Sequence, residues 1–599
     1  MSIRTDPSPA GSPRRRARQA GGGRAPRGSA ARRRFGVADP RRLAPLAALA
    51  ALAFLAGAVL GGRHVPSEQR VARSFAAAWE RGDYAAMHSL LSAAARRRLA
   101  LPALARAYRD AATVLTLTRV RAGRARGAPH GAVALPVTLA TRIFGRLSGT
   151  VVLPMADRGD GQPGVDWRPS LLAPGLRPGE RLSRETRLPA RAAIEARDGS
   201  ALARGAARVS DIGPAAADVV GSVGPPPAGR AALLAARGFP PRAVVGRTGL
   251  ERQFDDRLAG TPGGTLLAGR RVLATSVPRP GATVRTTIDP AVQRAAVTAL
   301  AGRYGGVAAL RPRDGQVLGL AGIAYSAAQP PGSTFKIVTL AGVLRFGIAR
   351  PSDSFPIQTE ATLEGVALQN ANGEACGGTL EAAFAESCNS VFAPLGARLG
   401  ARRLVEEARR FGFDEDPGIA GAARSTIPPA DRIGDDLAVG STAIGQGKVL
   451  ATPLEMAVVA ATIGERGRRA RPTLLLGGAP RPPVRAAPPA VARTIGRFMR
   501  SVVTHGTGAG AAVPGVTVAG KTGTAELRST VERSPPQPAQ PPQPETAQPN
   551  DASDTDAWFT AYAPARHPRI AVCVLLVGQG AGGATAAPAA RTVIETALG

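Results

Sequence analysis

The stretch Pro330-Pro331-Gly332-Ser333-Thr334-Phe335-Lys336 decides how the rest of this 599-residue chain reads. Pro330, Pro331 and Gly332 break any preceding element, and Ile337, Val338, Leu340, Val343 and Leu344 continue as the buried face of a helix. Ser333 therefore falls at a helix N-terminus, where free N–H groups and the positive end of the dipole favour developing negative charge. Ser333 and Lys336, three apart, lie on one helix face a single turn apart. A serine hydroxyl is a weak nucleophile. A nearby amine takes its proton only where burial or neighbouring cations lower the amine's pKa.

Lysine usage sharpens this reading. Lys and Arg together number 77, yet only Lys336, Lys448 and Lys521 are lysines. An arginine does not shed its proton in a protein, so it cannot be the base. A chain that uses arginine nearly everywhere keeps lysine in Ser333-Thr334-Phe335-Lys336 and in Lys521-Thr522-Gly523-Thr524. That points to chemistry.

With Ser333-x-x-Lys336, Ser387-Cys388-Asn389 and Lys521-Thr522-Gly523 in that order, the chain resembles the penicillin-binding transpeptidases. Thr286-Thr287-Ile288-Asp289, Ile444-Gly445-Gln446-Gly447, Thr452-Pro453-Leu454 and Asp556-Ala557-Trp558-Phe559 extend the resemblance over residues 283–599. Nothing before residue 283 resembles a glycosyltransferase, which places the chain with the monofunctional class B members. The resemblance implies a multidomain α+β protein whose catalytic domain, of the serine β-lactamase-like kind, is an antiparallel sheet flanked by helices. It also implies a catalytic set of Ser333, Lys336, Ser387, Asn389 and Lys521, with Thr522, Gly523 and Thr524 binding substrate. Ser387 would relay a proton between Lys336 and the leaving or incoming amine, Asn389 would hold the substrate amide, and Lys521 would give electrostatic support. Thr522 and Thr524 hydroxyls would bind the terminal carboxylate, and the N–H groups of Ser333 and Thr524 would form the oxyanion hole. Implied partners are peptidoglycan stem peptides, lipid-linked or polymerised, β-lactams as inhibitors, a membrane glycan polymerase and other cell-wall proteins. No cofactor and no metal are implied.

Composition sets the remaining bounds. Aromatics are 4%, so cores rest on Ala, Val and Leu. The formal charge of +34 raises nucleic acid as a partner, but no stacking aromatics or nucleic-acid-binding motif accompany the arginines. A basic ectodomain also suits anionic lipid and wall polymers. The three cysteines and five histidines offer no metal-ligand spacing.

Residues 1–42 hold twelve arginines against two aspartates, with little apolar content, and read as a disordered cytoplasmic tail. Residues 43–62 carry no charge, span about 30 Å as a helix and read as a transmembrane segment with the tail inside. A cleaved signal peptide is the rival reading. Ser67 to Glu80 predicts an amphipathic helix with Val71, Phe75, Ala78 and Trp79 on one face, ended by Gly82, and Asp83 caps the next. Val133–Leu139 and Leu147–Met155 predict strands of a small α+β domain over 63–178. Trp79-x-x-Gly82-Asp83-Tyr84 and Val165-Asp166-Trp167 resemble the cone-shaped N-terminal domain of methicillin-resistance-type penicillin-binding proteins; an unrelated spacer is the alternative. Leu188-Pro189-Ala190-Arg191 through Ala203, and Gly249-Leu250-Glu251-Arg252-Gln253-Phe254-Asp255, resemble the elongated pedestal or dimerisation domain, here 179–282.

Within 283–599, Asp314-Gly315 predicts a hairpin between Gly306–Leu310 and Gln316–Leu320. The next loop, Ala321–Gln329, is shorter than the family's. Ser387 falls between helical stretches Leu380–Glu386 and Val391–Leu399. The β-branched run Val516–Ala519 predicts a strand whose edge carries Lys521 to Thr524, an edge to which a substrate backbone can add. Residues 527–555, rich in Pro and Gln, predict a mobile loop beside the cleft. Gly515 to Thr522 also fits a phosphate-binding loop, which needs a helix after it, but its four middle residues favour strand and Gly523 follows at once. A carboxypeptidase or β-lactamase would use the same acylation with water as acceptor, and a β-lactam sensor or scaffold would need a signalling domain or a broken motif. Cys376 and Cys388, twelve apart, are either a disulfide behind the Ser387-x-Asn389 motif or two buried thiols, and Cys573 reads as a core residue.

If residues 43–62 are an uncleaved anchor, the full-length protein stays with membranes through a high-salt wash, and external protease spares only the Arg-rich tail. A soluble product beginning near residue 63 would instead establish a signal peptide.

Overall fold

Helix α1 (Ser67–Arg81) follows the amphipathic pattern, burying Ala72, Phe75, Ala76, Ala78 and Trp79, while Val71 is half-buried. Gly82 ends it with φ +69°, and Asp83 caps the short helix Tyr84–Ser89 by accepting from Ala86 N–H at 2.9 Å. The computed structural model describes residues 65–478, 481–526 and 554–599. The expected tail (1–42), span (43–62) and nearly all of the loop 527–555 lie outside the described residues. Among the described residues no helix is long and apolar enough to cross a membrane.

After α2 (Leu101–Leu115) come β1 (Leu117–Ala122), β2 (Val133–Thr141) and β3 (Gly145–Leu153), antiparallel with β2 between the other two. Val133, Leu135, Val137 and Leu139 alternate into a core with α1 and α2. The expected strand Leu147–Met155 instead ends at Leu153, because Pro154 has no N–H to continue a ladder. That core takes in Leu266, so it runs past residue 178 into the next sheet, formed by β4 (Leu182–Arg187), β5 (Gly263–Ala268) and β6 (Arg271–Ser276).

The two motifs of the 179–282 region meet in a buried ion cluster. Arg191 Nε donates to Glu251 Oε2 at 2.6 Å and its Nη1 to Asp255 Oδ1 at 2.8 Å. Arg208 completes Glu251 at 2.6 Å and Arg230 completes Asp255 at 2.9 Å. Thr286 Oγ1 donates to Glu195 O and Thr287 Oγ1 to Val317 O, so this threonine pair ties the region to the catalytic domain. Ile194, Leu202 and Leu250 share one apolar cluster with Leu310, Phe335 and Phe384.

Asp289 caps α3 (Pro290–Leu300) by accepting from Ala291 and Val292 N–H. Strands β7 (Gly305–Leu310) and β8 (Val317–Gly322) form the expected hairpin. Next come the helices α4 (Lys336–Arg345), α5 (Leu380–Ala385), α6 (Asn389–Leu399), α7 (Pro453–Gly464) and α8 (Pro489–Thr504). The chain then returns to the sheet with β9 (Ala519–Glu526), β10 (Thr555–Ala563) and β11 (Ile570–Leu576) and ends in α9 (Ala586–Leu598). The sheet order is β8-β7-β11-β10-β9, all antiparallel, with β9 at one edge. Both faces are covered: Val572 and Val574 face the cluster of α3 and α9, Cys573 and Leu575 that of α7. That is why β11 is apolar at every position. The expected strand start at Val516 moves to Ala519. Beyond Ala563 the partner strand meets Pro564, which cannot donate, and Thr517 O is taken instead by Ala565 N–H at 2.8 Å.

Glu251→Ala leaves Arg208 buried without a carboxylate and Arg191 with Asp255 alone, so urea denaturation is expected to show a loss of about 3–5 kcal/mol. A loss below about 1 kcal/mol would mean that water reaches the cluster.

Candidate active site

The nucleophile turn is one turn of 3₁₀ helix, Gly332–Phe335, leading into α4, so Ser333 stands at a helix N-terminus as its sequence predicts. Thr334 Oγ1 donates to Pro331 O at 2.7 Å and fixes the turn. Gly332, at φ +52°, donates its N–H to Gly445 O at 3.0 Å. Side chains are excluded where the segments meet: a Cβ on Gly445 would sit 1.8 Å from Gly332 O, and one on Gly523 2.9 Å from Pro331 O. The Ile444-Gly445-Gln446-Gly447 loop and the Lys521-Thr522-Gly523 strand therefore grip the turn by backbone contact. Ser333 is half-buried, and its hydroxyl makes no hydrogen bond among the described residues.

Lys336 points from the first turn of α4 into the interior and is fully buried. Its Nζ donates to Ser387 O at 2.6 Å and Asn389 Oδ1 at 2.7 Å, with Ser387 Oγ at 3.4 Å. Lys521 reaches the same serine from β9, with Nζ 2.8 Å from Ser387 Oγ and 3.0 Å from Thr522 O. Phe392 and Phe384 lie 5.7 Å and 5.5 Å from the two ammonium groups and keep water from them. Burial drives the Lys336 pKa well below the ordinary lysine value, and the Lys521 charge adds to the shift. Burial brings Lys521 down to about 7, against the opposing field of Glu386. For Lys336 that burial favours the neutral amine, the form a general base requires.

Ser387 comes after α5 in a left-handed conformation at φ +65°. Cys388 N–H reaches back to Ala383 O at 2.9 Å, closing the helix end, and Asn389 opens α6. Cys388 is disulfide-bonded to Cys376, whose Cα lies 5.8 Å away, so the bridged alternative holds, and Cys573 is a free, buried thiol.

On β9 the Thr522 and Thr524 side chains share one face. Thr522 Oγ1 lies 2.6 Å from Thr507 Oγ1, in the turn after α8. Lys448, the third lysine, is exposed. The structure thus gathers Ser333, Lys336, Ser387, Asn389 and the segment Lys521–Thr524 around one cleft. Sequence reading missed Asn370. Its Oδ1 accepts from Ser390 N–H at 2.8 Å, while Asn389 Nδ2 donates to Gln369 O at 2.7 Å, so the two-stranded pieces of residues 354–379 brace the serine loop. The only sequence cue was the polar run Gln369-Asn370-Ala371-Asn372-Gly373. Thr507 was likewise missed.

A serine at a helix N-terminus, a depressed lysine one turn on and a second serine between two lysines form acyl-transfer machinery. Comparisons with known proteins agree. The penicillin-binding protein transpeptidase domain matches residues 305–595, and the penicillin-binding protein dimerisation domain residues 184–284. The peptidoglycan D,D-transpeptidase PbpA of Mycobacterium tuberculosis is 34% identical over 418 residues, covering 59% of this chain and 79% of that protein. The chain belongs to the class B penicillin-binding proteins. Among solved class B structures, penicillin-binding protein A of M. tuberculosis aligns at TM-score 0.54 and 30% identity over 69% of this chain and 100% of that one. It is also known as acyl-enzyme complexes with ceftriaxone, imipenem and penicillin G. Pseudomonas aeruginosa PBP2 aligns at TM-score 0.56 and 25% identity over 69% of this chain and 96% of that one. The penicillin-binding fold and its dimerisation domain are therefore those of this chain.

Lys336→Arg keeps the charge but removes a group able to lose its proton, and acylation by benzylpenicillin should fall by about 10²–10⁴-fold. Lys521→Arg, which keeps a cation beside Ser387, should cost less. As pH rises through about 7 the wild-type enzyme loses the Lys521 cation, so acylation by carboxylate-bearing β-lactams should decline. Arginine stays protonated, so Lys521→Arg should lack that decline; stopped-flow acylation rates against pH decide.

Proposed function

We propose that this chain is a serine peptidoglycan D,D-transpeptidase with Ser333 as nucleophile. The observation that carries the reading is the buried Lys336, desolvated and further discharged by Lys521, one helical turn from a half-exposed serine whose hydroxyl has no hydrogen-bond partner among the described residues. Ser333 Oγ attacks the penultimate D-alanine carbonyl of a stem peptide as its proton passes to neutral Lys336. The carbonyl oxygen, now negative, is received by the N–H groups of Ser333 and Thr524. Collapse expels D-alanine, whose amine takes up a proton relayed from Lys336 through Ser387 Oγ. An amine of a neighbouring stem then attacks the ester, loses a proton along the same route and leaves a crosslink, with Ser333 regenerated.

Asn389 holds the substrate amide. Lys521, Thr522 and Thr524 hold the terminal carboxylate, and Gly523 lets the substrate backbone run along the edge of β9. β-Lactams occupy the same place and leave a stable ester on Ser333. The uncharged, apolar run 43–62 supports a finer arrangement in which it anchors the chain in the cell membrane. The cone-like domain 63–178 and pedestal 179–282 raise the transpeptidase domain 283–599 above the membrane. A membrane glycan polymerase and other cell-wall proteins are the partners such a placement implies.

Fluorescent penicillin should label the full-length protein in detergent on a peptide containing Ser333, and Ser333→Ala should abolish the label. Labelling that survives this substitution would overturn the assignment. With a pentapeptide donor and an amine acceptor, mass spectrometry should find D-alanine and the joined product in equal amounts; D-alanine with hydrolysed donor alone would make the enzyme a carboxypeptidase.

A further inference from the structure

Thr507 has no place in the three motifs, yet its hydroxyl oxygen lies 2.6 Å from Thr522 Oγ1. The same hydroxyl lies 3.2 Å from Ala385 O, and so does the backbone N–H of Thr507. Thr507 is half-buried, and Thr522 is 6% exposed. A hydroxyl has one proton and two lone pairs, so the pair admits two arrangements. In the first, Thr507 donates to Ala385 O and Thr522 donates to Thr507. The Thr522 proton is then spent inward, and only lone pairs face the cleft. In the second, Thr507 donates to Thr522 Oγ1, and the Thr522 proton is free to point outward. Ala385 O keeps the Thr507 N–H in either case, so the second arrangement strands no buried acceptor.

We propose that Thr507 is a positioning residue for carboxylate recognition: by donating to Thr522 Oγ1 it turns the Thr522 hydroxyl proton toward an anionic ligand group. The inference rests on the proposed role of Thr522 in meeting the ligand's carboxylate. A donor aimed at a carboxylate forms a charge-assisted bond, whereas lone pairs aimed at it repel. The backbone holds Thr507 at this distance. Its N–H is tied to Ala385 O, and Gly583 is kept against Thr507 O, where a Cβ would sit at 2.2 Å. Ala385 closes α5, two residues before Ser387, so the helix that presents the serine loop also anchors Thr507.

The test compares acylation of the full-length protein in detergent by benzylpenicillin, which carries the carboxylate, and by its methyl ester, which does not. Thr507→Val should slow benzylpenicillin about tenfold and the ester less than about twofold. Thr507→Ser should restore the wild-type rate. Thr507→Val added to Thr522→Val should slow benzylpenicillin no further than Thr522→Val alone. Equal losses with both ligands, additive losses or no rescue by serine would overturn the proposal and leave Thr507 a packing residue. If Thr522→Val slows benzylpenicillin while Thr507→Val does not, this inference fails and the reading of Thr522 stands. If Thr522→Val itself has no effect, that reading fails and the inference with it. Should Thr507→Val not fold, judged by its thermal unfolding, Thr507→Ala takes its place against Thr507→Ser.

Discussion

The ammonium of Lys521, 2.8 Å from Ser387 Oγ, joins the sheet to the helical part of the catalytic domain, and the site depends on that join. Lys521 belongs to an edge strand, whereas Ser387 belongs to the loop between two helices. Burying an ammonium is costly unless its hydrogens are matched, and here a hydroxyl and a carbonyl match them. Lys336 meets the same loop from the other side, through Ser387 O and Asn389 Oδ1. Two like charges sharing one serine cannot both be comfortable. Burial lowers the proton affinity of the lysine one turn from Ser333, and the charge on Lys521 lowers it further, which is the property the chemistry needs.

Backbone proximity is the second constraint. Ser333 can lie against β9 only because Gly332, Gly445 and Gly523 carry no side chains at the seam. At Gly445 the approach is so close that alanine would overlap a carbonyl oxygen. Because β9 lies at the sheet edge, its outer backbone groups have no ladder partner among the described residues, while its inner ones are paired with β10 from Ala519 to Glu526. The seam and the open edge thus come from one piece of chain.

Much of this was legible in the sequence because the chemistry has narrow requirements. Lysine at 336 and 521 stood out in an arginine-rich chain, and Ser387 fell in a visible gap between helices. The cap at Asp83 is a local hydrogen bond, so a short window revealed it. What escaped depended on distant chain. Asn370 and Thr507 act through contacts made 20 and 15 residues away, which no periodicity encodes. The start of β9 was misplaced because a proline on the partner strand, rather than the Val-Thr-Val run itself, decides where the ladder begins. The apolar clusters shared across residues 178 and 282 were equally hidden, since composition marks linkers better than it marks common cores.

Ser387 shows why local preference yields at a site. A left-handed residue closing a helix is normally glycine or asparagine, and serine there costs about 1 kcal/mol. Glycine would remove the strain and also the hydroxyl that both lysines approach. Asparagine would place an amide there and lacks the hydroxyl that the proposed relay between Lys336 and the substrate amine requires. The neighbouring residue supplies a restraint: the Cys376–Cys388 bridge, twelve residues apart, stabilises the fold by roughly 3 kcal/mol through loss of unfolded-chain freedom. Because Cys388 is the next residue in the chain, that restraint acts on the strained turn itself and holds Ser387 Oγ where Lys521 and Lys336 converge.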